Sequence, residues 1–482
     1  MVKKVIFAFV CSIAAAGSVC PQETAVLPQA PLSIAAVEPF KKTDRVLILA
    51  PHPDDESIAC GGVIQSAVAA GAEVRVAYLT NGDHNELAFI VFERRLTFRT
   101  SEFIHMGEVR KKEAIAAMKL LGVGESKLTF LGYPDFGTFT IFSQYWQSKK
   151  PFRSLLTRIS KVPYKGNLSY KAPYVGESIL QDIKQVLLQY KPNKVFVSHP
   201  ADTNVDHKAF YLFLQIALGD IANVLPRPEI YPYLVHCMGW PLPRHYHPEL
   251  ELSPPKQMQD SQVSWLQYAL SPEQLEKKHQ AILCHKSQTR SSAFYLLSFA
   301  RKNELFGDYP EIGLVQPKQP VPSEVKAEPS FMDKAIAFFG LSNLFTDSSL
   351  GAEISSAASI SEVKGKVDYS CDDNFLLIRV KKEKELDKNF SVLVYLFGYS
   401  DAVPFAQMPK IRIFSRHGKA KAFNGKKPIA VERVITELRP EEFILKVPLD
   451  MLGRPASVLT LVKTFGGALP VDTTGFRKIL LR

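Results

Sequence analysis

The residues best equipped for chemistry are His52, Asp54, Asp55 and Glu56, in the run Ala50-Pro51-His52-Pro53-Asp54-Asp55-Glu56. They directly follow Val46-Leu47-Ile48-Leu49, a short apolar run that reads as a buried strand. Uncompensated carboxylates crowded together repel and lose solvation. Packing therefore gives no reason for these acids, and a metal ion is the simplest compensation. His52 and Asp55, on a turn entering a helix, can converge on one ion while Asp54 points elsewhere. A hydrolytic site also needs a further ligand and a base. The best source is Ser198-His199-Pro200-Ala201-Asp202-Thr203-Asn204-Val205-Asp206-His207, just after a second apolar run, Val195-Phe196-Val197. Two strand ends of one parallel sheet face the same crevice. A capped helix N-terminus would need one acid, not this run plus a remote Asp-His pair.

The elements that must position these residues alternate over 45–240. Strand-like runs are Val46–Leu49, Glu73–Leu79, Lys127–Leu131, Lys194–Ser198 and Glu229–Val235. Helix-like runs are Ser57–Gly71, Val109–Leu121, Glu177–Gln189 and Asp206–Leu218. This pattern predicts an α/β fold, a mostly parallel sheet with helices on both faces. Residues 136–175 interrupt it with aromatic and basic residues, either a binding loop or a loop packing its own aromatics on the domain. Gln274–Glu304 reads as helix, 313–331 as a Pro-rich linker and Met332–Phe345 as an amphipathic segment. Beyond about 360 the period changes to short strands: Phe375–Val380, Ser391–Phe397, Lys410–Phe414, Ala430–Ile435, Glu442–Val447, Ser457–Val462 and Arg477–Leu481. They predict an antiparallel β-sandwich over 332–482.

Lys3 and Lys4 before the apolar stretch Val5–Ala16, then Ala16-Gly17-Ser18, read as a signal peptide over 1–18. Export is expected, to periplasm, surface or medium, with a lipid anchor on Cys20 as the alternative. The six cysteines show no CxxC spacing, which argues against a thiolate zinc site or a disulfide scaffold. A net charge of +11 suits association with acidic cell-surface or membrane glycan, though charge runs are usually solvated faces. No nucleic-acid-binding signature is present.

Pro51-His52-Pro53-Asp54-Asp55-Glu56 with the later Asp206-His207 resembles the PIG-L/LmbE zinc-dependent N-deacetylases, over roughly residues 43–310. Further similar stretches are Leu79-Thr80-Asn81-Gly82-Asp83, Arg110-Lys111-Lys112-Glu113, Phe130 to Asp135, and His285 to Gln288 with Asn303 to Phe306. The resemblance implies a Rossmann-like, LmbE-like catalytic domain over 40–312 that removes acetyl groups from N-acetylglucosamine-type amides. It makes His52, Asp55 and His207 the metal ligands and Asp54 the general base. Such ligands suit Zn²⁺, with Fe²⁺ the alternative. It also makes Arg110 and Asp135 contacts to substrate hydroxyls, with His285 and Gln288 as further contacts. Asp206 is expected to orient a neighbouring group.

One departure stands out. Many relatives carry a helper histidine where this chain has Asn204, which can donate a hydrogen bond to an oxyanion but cannot carry a proton. His84, His105 and His199 are weaker ligand candidates. The expected partner is an N-acetylated sugar or glycoconjugate, with no expectation for the oligomeric state. The alternatives are a different amide, lipid-linked or non-sugar, and a glycan-binding protein with a residual metal site. The sandwich loosely resembles carbohydrate-binding modules through Val447 to Gly453 and Asp472 to Arg477, and is expected to bind glycan or pack on the catalytic domain.

Overall fold

An eight-stranded mixed sheet carries the first half of the fold. The computed structural model describes residues 34–84, 99–147, 149–259, 262–314, 365–382, 390–467 and 469–481. The expected leader, Cys20, the linker from 315 and the segment Met332–Phe345 lie outside the described residues. Among the described residues no helix is long and apolar enough to cross a membrane.

The centre of the sheet is parallel: β4 (Leu128–Tyr133), β3 (Glu73–Thr80), β2 (Arg45–Ala50), β5 (Lys194–Ser198) and β6 (Glu229–Tyr233). Val46–Ala50 and every residue of β5 are buried, as continuous apolar runs covered on both faces should be. Two antiparallel strands, β8 (Asn303–Asp308) and β7 (Ser264–Ala269), and the two-residue β1 (Ala35–Ala36) complete the sheet beyond β6. The chain leaves β2 for β3 on one side and reaches β5 on the other, so the strand order reverses between β2 and β5. A crevice opens at such a switch point, outside the carboxyl ends of the strands.

Helices α1 (Asp55–Ala69), α2 (Thr100–Leu120), α3 (Thr138–Gln144), α4 (Gly176–Tyr190) and α5 (Val205–Asp220) flank this centre. In α4 the buried Ile179, Leu180, Ile183, Val186, Leu187 and Tyr190 recur at helical spacing, and Lys191 ends the helix at φ 52°. By contrast α5 is buried from Asp206 to Leu218, with apolar residues all round. A helix of that kind needs cover on every side.

The expected helix Gln274–Glu304 is replaced by α6 (Pro272–Cys284), α7 (Lys286–Leu296), a 3₁₀ turn (Leu297–Phe299) and β8. Ser271 caps α6 through a capping box with Gln274, and the backbone turns out of helix at His285 (φ −81°, ψ 62°). No Gly or Pro marks that break, so the apolar periodicity ran through it. Glu304, on β8, forms a buried ion pair with Lys278 at 2.7 Å and accepts the backbone N–H groups of Gly62 (2.7 Å) and Val63 (2.9 Å). Lys278→Met leaves that carboxylate buried without its cation. It is expected to cost about 3–5 kcal/mol, read as a lowered urea midpoint, with much of the loss recovered in Lys278→Met/Glu304→Gln.

The second half is a β-sandwich. One sheet runs β10 (Gly365–Cys371), β11 (Phe375–Lys382), β17 (Glu442–Pro448), β16 (Ile435–Leu438). The other runs β15 (Lys427–Ile429), β14 (Lys419–Asn424), β13 (Lys410–Arg416), β12 (Phe390–Tyr399), β18 (Ser457–Gly466), β20 (Arg477–Leu481), β9 (Ile312–Leu314), with β19 (Leu469–Thr473) on β18. Ala430–Val434 is a turn between β15 and β16, not the strand expected over Ala430–Ile435; the short β16 begins at its last residue. β9 lies across the boundary expected at 312/313 and pairs in parallel with β20.

Period-two alternation assigns the two faces of β12 to different cores. Val392, Val394 and Leu396 fill the sandwich interior. Leu393, Tyr395 and Phe397 join Phe405, Met408, Leu459, Leu461 and Phe476 in one cluster with Phe139, Phe142, Trp146 and Phe213 of the first half. Phe142 meets Phe397 edge-on at 5.1 Å and Phe213 at 4.9 Å. The aromatics of 136–175 are thus largely core, and Trp146, Tyr164 and Tyr174 are also buried. The sandwich is the missing cover for α3 and α5.

Candidate metal centre

The turn after β2 is held in an unusual backbone state. Asp54 has φ 140°, a region that non-glycine residues rarely adopt, and surrounding contacts must enforce it. Its N–H donates to Glu56 Oε2 (3.0 Å), and its carbonyl accepts the N–H groups of Ser57 and Ile58. Arg110, on α2, donates to the carbonyls of Pro53 (2.9 Å) and Gly82 (3.1 Å) and to Asp54 Oδ2 (3.2 Å). A Cβ at Gly82 would fall 2.1 Å from that guanidinium, so only glycine leaves room for the clamp.

His52, Asp55 and His207 come together here, each offering one ligand atom within 4.8 Å of the others. Asp55 Oδ2 lies 3.3 Å from His52 Nδ1 and 3.1 Å from His207 Nε2. The opposite nitrogen of each imidazole faces carboxylates. His52 Nε2 is 3.1 Å from Asp135 Oδ1 and 3.3 Å from Asp206 Oδ2. His207 Nδ1 is 3.1 Å from Asp202 Oδ2. Carboxylates on the far nitrogen fix the tautomer and aim of metal-binding histidines.

Asp202 is itself rigidly held. Its Oδ2 accepts the N–H groups of Val235 (3.0 Å) and His236 (2.9 Å), and its Oδ1 accepts that of Asn204 (2.9 Å). Asp206 accepts the N–H groups of Phe136 (2.6 Å) and Thr138 (3.0 Å), tying α5 to the start of α3. The orienting role expected for Asp206 is therefore shared with Asp202, which sequence reasoning passed over although it stands five residues before His207.

The electrostatics follow from this crowding. Burial opposes charge on His52, but Asp135, Asp206 and Asp55 outweigh it and hold the imidazole well above its ordinary range. Burial likewise opposes charge on His207, which Asp202 and Asp55 lift to about 9. Despite burial, His207 and His52 hold Asp55 well below the usual carboxylate range. Burial pushes Asp54 up to about 6, against the pull of Arg110 and with a further push from Asp55. His207 Nε2 is buried with no hydrogen bond of good geometry, as a ligand atom would be. Two imidazoles, one carboxylate and that orphaned nitrogen fit a divalent transition ion.

Other expected site residues take internal roles. Arg110 and Asp135 are each 3% exposed and are engaged with the Asp54 turn and with His52, where contacts to substrate hydroxyls were expected. His285, expected as a substrate contact, is fully buried, with Nε2 3.0 Å from Ser57 Oγ and 3.3 Å from Glu56 Oε1 at the start of α1. Gln288 is buried beside it and donates to Ser287 Oγ. Glu113 accepts hydrogen bonds from Ser287 N–H (2.8 Å) and Oγ (2.6 Å). Asn204 caps α5, its Oδ1 accepting Asp206 N–H at 2.8 Å.

Of the weaker candidates, His84 donates its backbone N–H to Asp135, and His105 is exposed on α2. His199 stacks on Trp265, and burial lowers it to about 3. His236, from the loop after β6, was not foreseen. Its ring lies 4.7 Å from that of His207.

The family profile described as GlcNAc-PI de-N-acetylase (PIG-L) matches residues 47–218. A 1D-myo-inositol 2-acetamido-2-deoxy-alpha-D-glucopyranoside deacetylase of Mycobacterium avium is 39% identical over 84 residues, 17% of this chain and 27% of that protein. The same-named protein of Kineococcus radiotolerans is 26% identical over 190 residues, 39% of this chain and 50% of that protein. The chain thus spans between about a quarter and a half of these relatives. Among solved structures, an N,N'-diacetylchitobiose deacetylase from Pyrococcus horikoshii shows 20% identity and a TM-score of 0.32, covering 52% of this chain and 72% of its own. The matched stretch, residues 47–218, is the one that carries His52, Asp54, Asp55 and His207, so the similarity to the PIG-L family lies in the part of the chain that builds the candidate metal centre.

Proposed function

We propose that the chain is a metal-dependent hydrolase that removes an acetyl group from an N-acetylglucosamine-type amide. The observation that carries this reading is the convergence of His52, Asp55 and His207 within 4.8 Å beside Asp54, a carboxylate outside the ligand set. The PIG-L match and the named activity of the curated relatives support it.

His52, Asp55 and His207 would hold the ion, Zn²⁺ or Fe²⁺. Once bound, it supplies Lewis acidity at the amide and a lowered pKa for water. Asp54 takes a proton from the attacking water and returns it to the departing amine, a role suited to a carboxylate lifted toward neutrality. Arg110 keeps Asp54 aimed while leaving it a usable base. Asp202 orients His207, and Asp135 with Asp206 orients His52. The Asn204 amide nitrogen, with no hydrogen bond among the described residues, donates to the oxyanion.

The test measures bound transition metal and acetate released from N-acetylglucosamine oligomers and acetylated glycoconjugates. We expect about one ion per chain, loss of acetate release on chelation, and recovery with Zn²⁺ or Fe²⁺. Protein that takes up no transition metal on reconstitution would overturn the reading.

A further inference from the structure

The segment that leads into β20 touches the loop that carries Asp202. Phe476 is anchored in the core between the two halves, with its ring 5.9 Å from Phe139 and 5.9 Å from Phe397. Its backbone N–H donates to the carbonyl of Pro200 at 3.1 Å. Gly475 lies so close to the same loop that a Cβ there would fall 2.9 Å from Ala201 Cβ, 3.1 Å from Ala201 N and 2.5 Å from the Tyr309 ring. The Arg477 guanidinium sits 4.3 Å above Tyr309 and donates to Gln262 at 2.9 Å. Tyr309 in turn packs 5.4 Å from His199, whose carbonyl accepts the N–H of Asp202 at 2.9 Å. Two routes, one backbone and one aromatic, thus join the sandwich to residues 199–202.

We infer that Gly475, Phe476 and Arg477 are positioning residues of the metal centre: the sandwich clamps the 199–202 loop so that Asp202 holds His207 in its ligating orientation. The clamp gives the C-terminal half a role in catalysis that needs no ligand of its own. It acts through Asp202, since none of the three residues reaches His52, Asp55 or His207. Loss of a carboxylate that orients a metal-binding histidine typically lowers metal affinity about 10–100-fold, which sets the ceiling for disturbing the clamp.

This inference rests on the proposed metal reading. The experiment uses full-length protein and measures Zn²⁺ affinity by competition with a chelator, alongside thermal unfolding. Gly475→Val should weaken Zn²⁺ binding by about 10-fold or more and lower kcat/KM, while unfolding stays cooperative. Tyr399→Ala is the control. Tyr399 packs on Gly219 at the far end of α5, on the same sandwich face but away from the loop. It should lower the melting temperature and leave Zn²⁺ affinity unchanged. If Gly475→Val does not fold, Arg477→Gln removes the cation over Tyr309 without added bulk and should show a smaller loss, about threefold. Wild-type affinity in the clamp variants, or an equal loss in Tyr399→Ala, would overturn the clamp. Absence of Zn²⁺ binding in the wild type would instead overturn the metal reading itself.

Discussion

Asp54→Asn is expected to lower kcat for acetate release by about 10²–10⁴-fold, the usual contribution of a positioned general base, with metal content unchanged. Asparagine is the informative replacement. It keeps the side-chain shape and can still accept from Arg110, and Asn tolerates positive φ better than most residues. The turn that aims His52 and Asp55 is then preserved, and only proton transfer is lost. KM should move little, because the base does its work in the transition state. Steady-state kinetics with metal analysis on the same preparation provide the check. Asp54→Asn with wild-type kcat would remove Asp54 from the reaction; coincident loss of metal would show that the carboxylate serves the ligand cluster.

The other large effect concerns the sandwich. A chain ending at residue 314 is expected to yield no soluble, folded protein. Truncation uncovers Phe139, Phe142 and Trp146, whose rings pack on Phe397, Phe405 and Phe476 of the second half. Re-exposing even half of their burial costs about 2–5 kcal/mol at about 1.5–3 kcal/mol per fully buried large side chain. That rivals a total stability of about 5–15 kcal/mol. The uncovered face of α5 would also be an aggregation site. Soluble yield and a cooperative melt decide the matter. A truncated protein that melts cooperatively and releases acetate at the wild-type rate would show two independent halves.

His52 and Asp55 were legible as candidate ligands because metal chemistry constrains residue type and place together: a histidine and an aspartate stand three apart at one strand end. His207 was singled out from the stretch after the second strand by the family resemblance, and the three meet in the structure. The α/β alternation was legible for the same local reason, since β2, β5 and α4 each carry their own periodicity. What escaped was decided by distant partners. The aromatics of 136–175 could be read either as a binding loop or as a loop packed on its own domain, because their cover, Phe397 and Phe405, comes from a separate part of the sequence. The all-round apolar character of α5 was the available signal that another layer must cover it. Asp202 escaped because Asp206 adjoins His207 in sequence. Arg110, Asp135 and His285 fall on motif positions, but only burial shows that they brace the turn and the ligands.

The parallel pairing of β9 with β20 has a consequence for synthesis. Ile312 waits for Ile479, Gly313 for Leu480 and Leu314 for Leu481. At about 5–20 residues per second, α5 leaves the ribosome tens of seconds before the strand that completes its cover. Throughout that interval the nascent chain displays a wide aromatic face that no local element can hide. Its yield in a cell should therefore depend on chaperone capacity far more than its finished stability suggests.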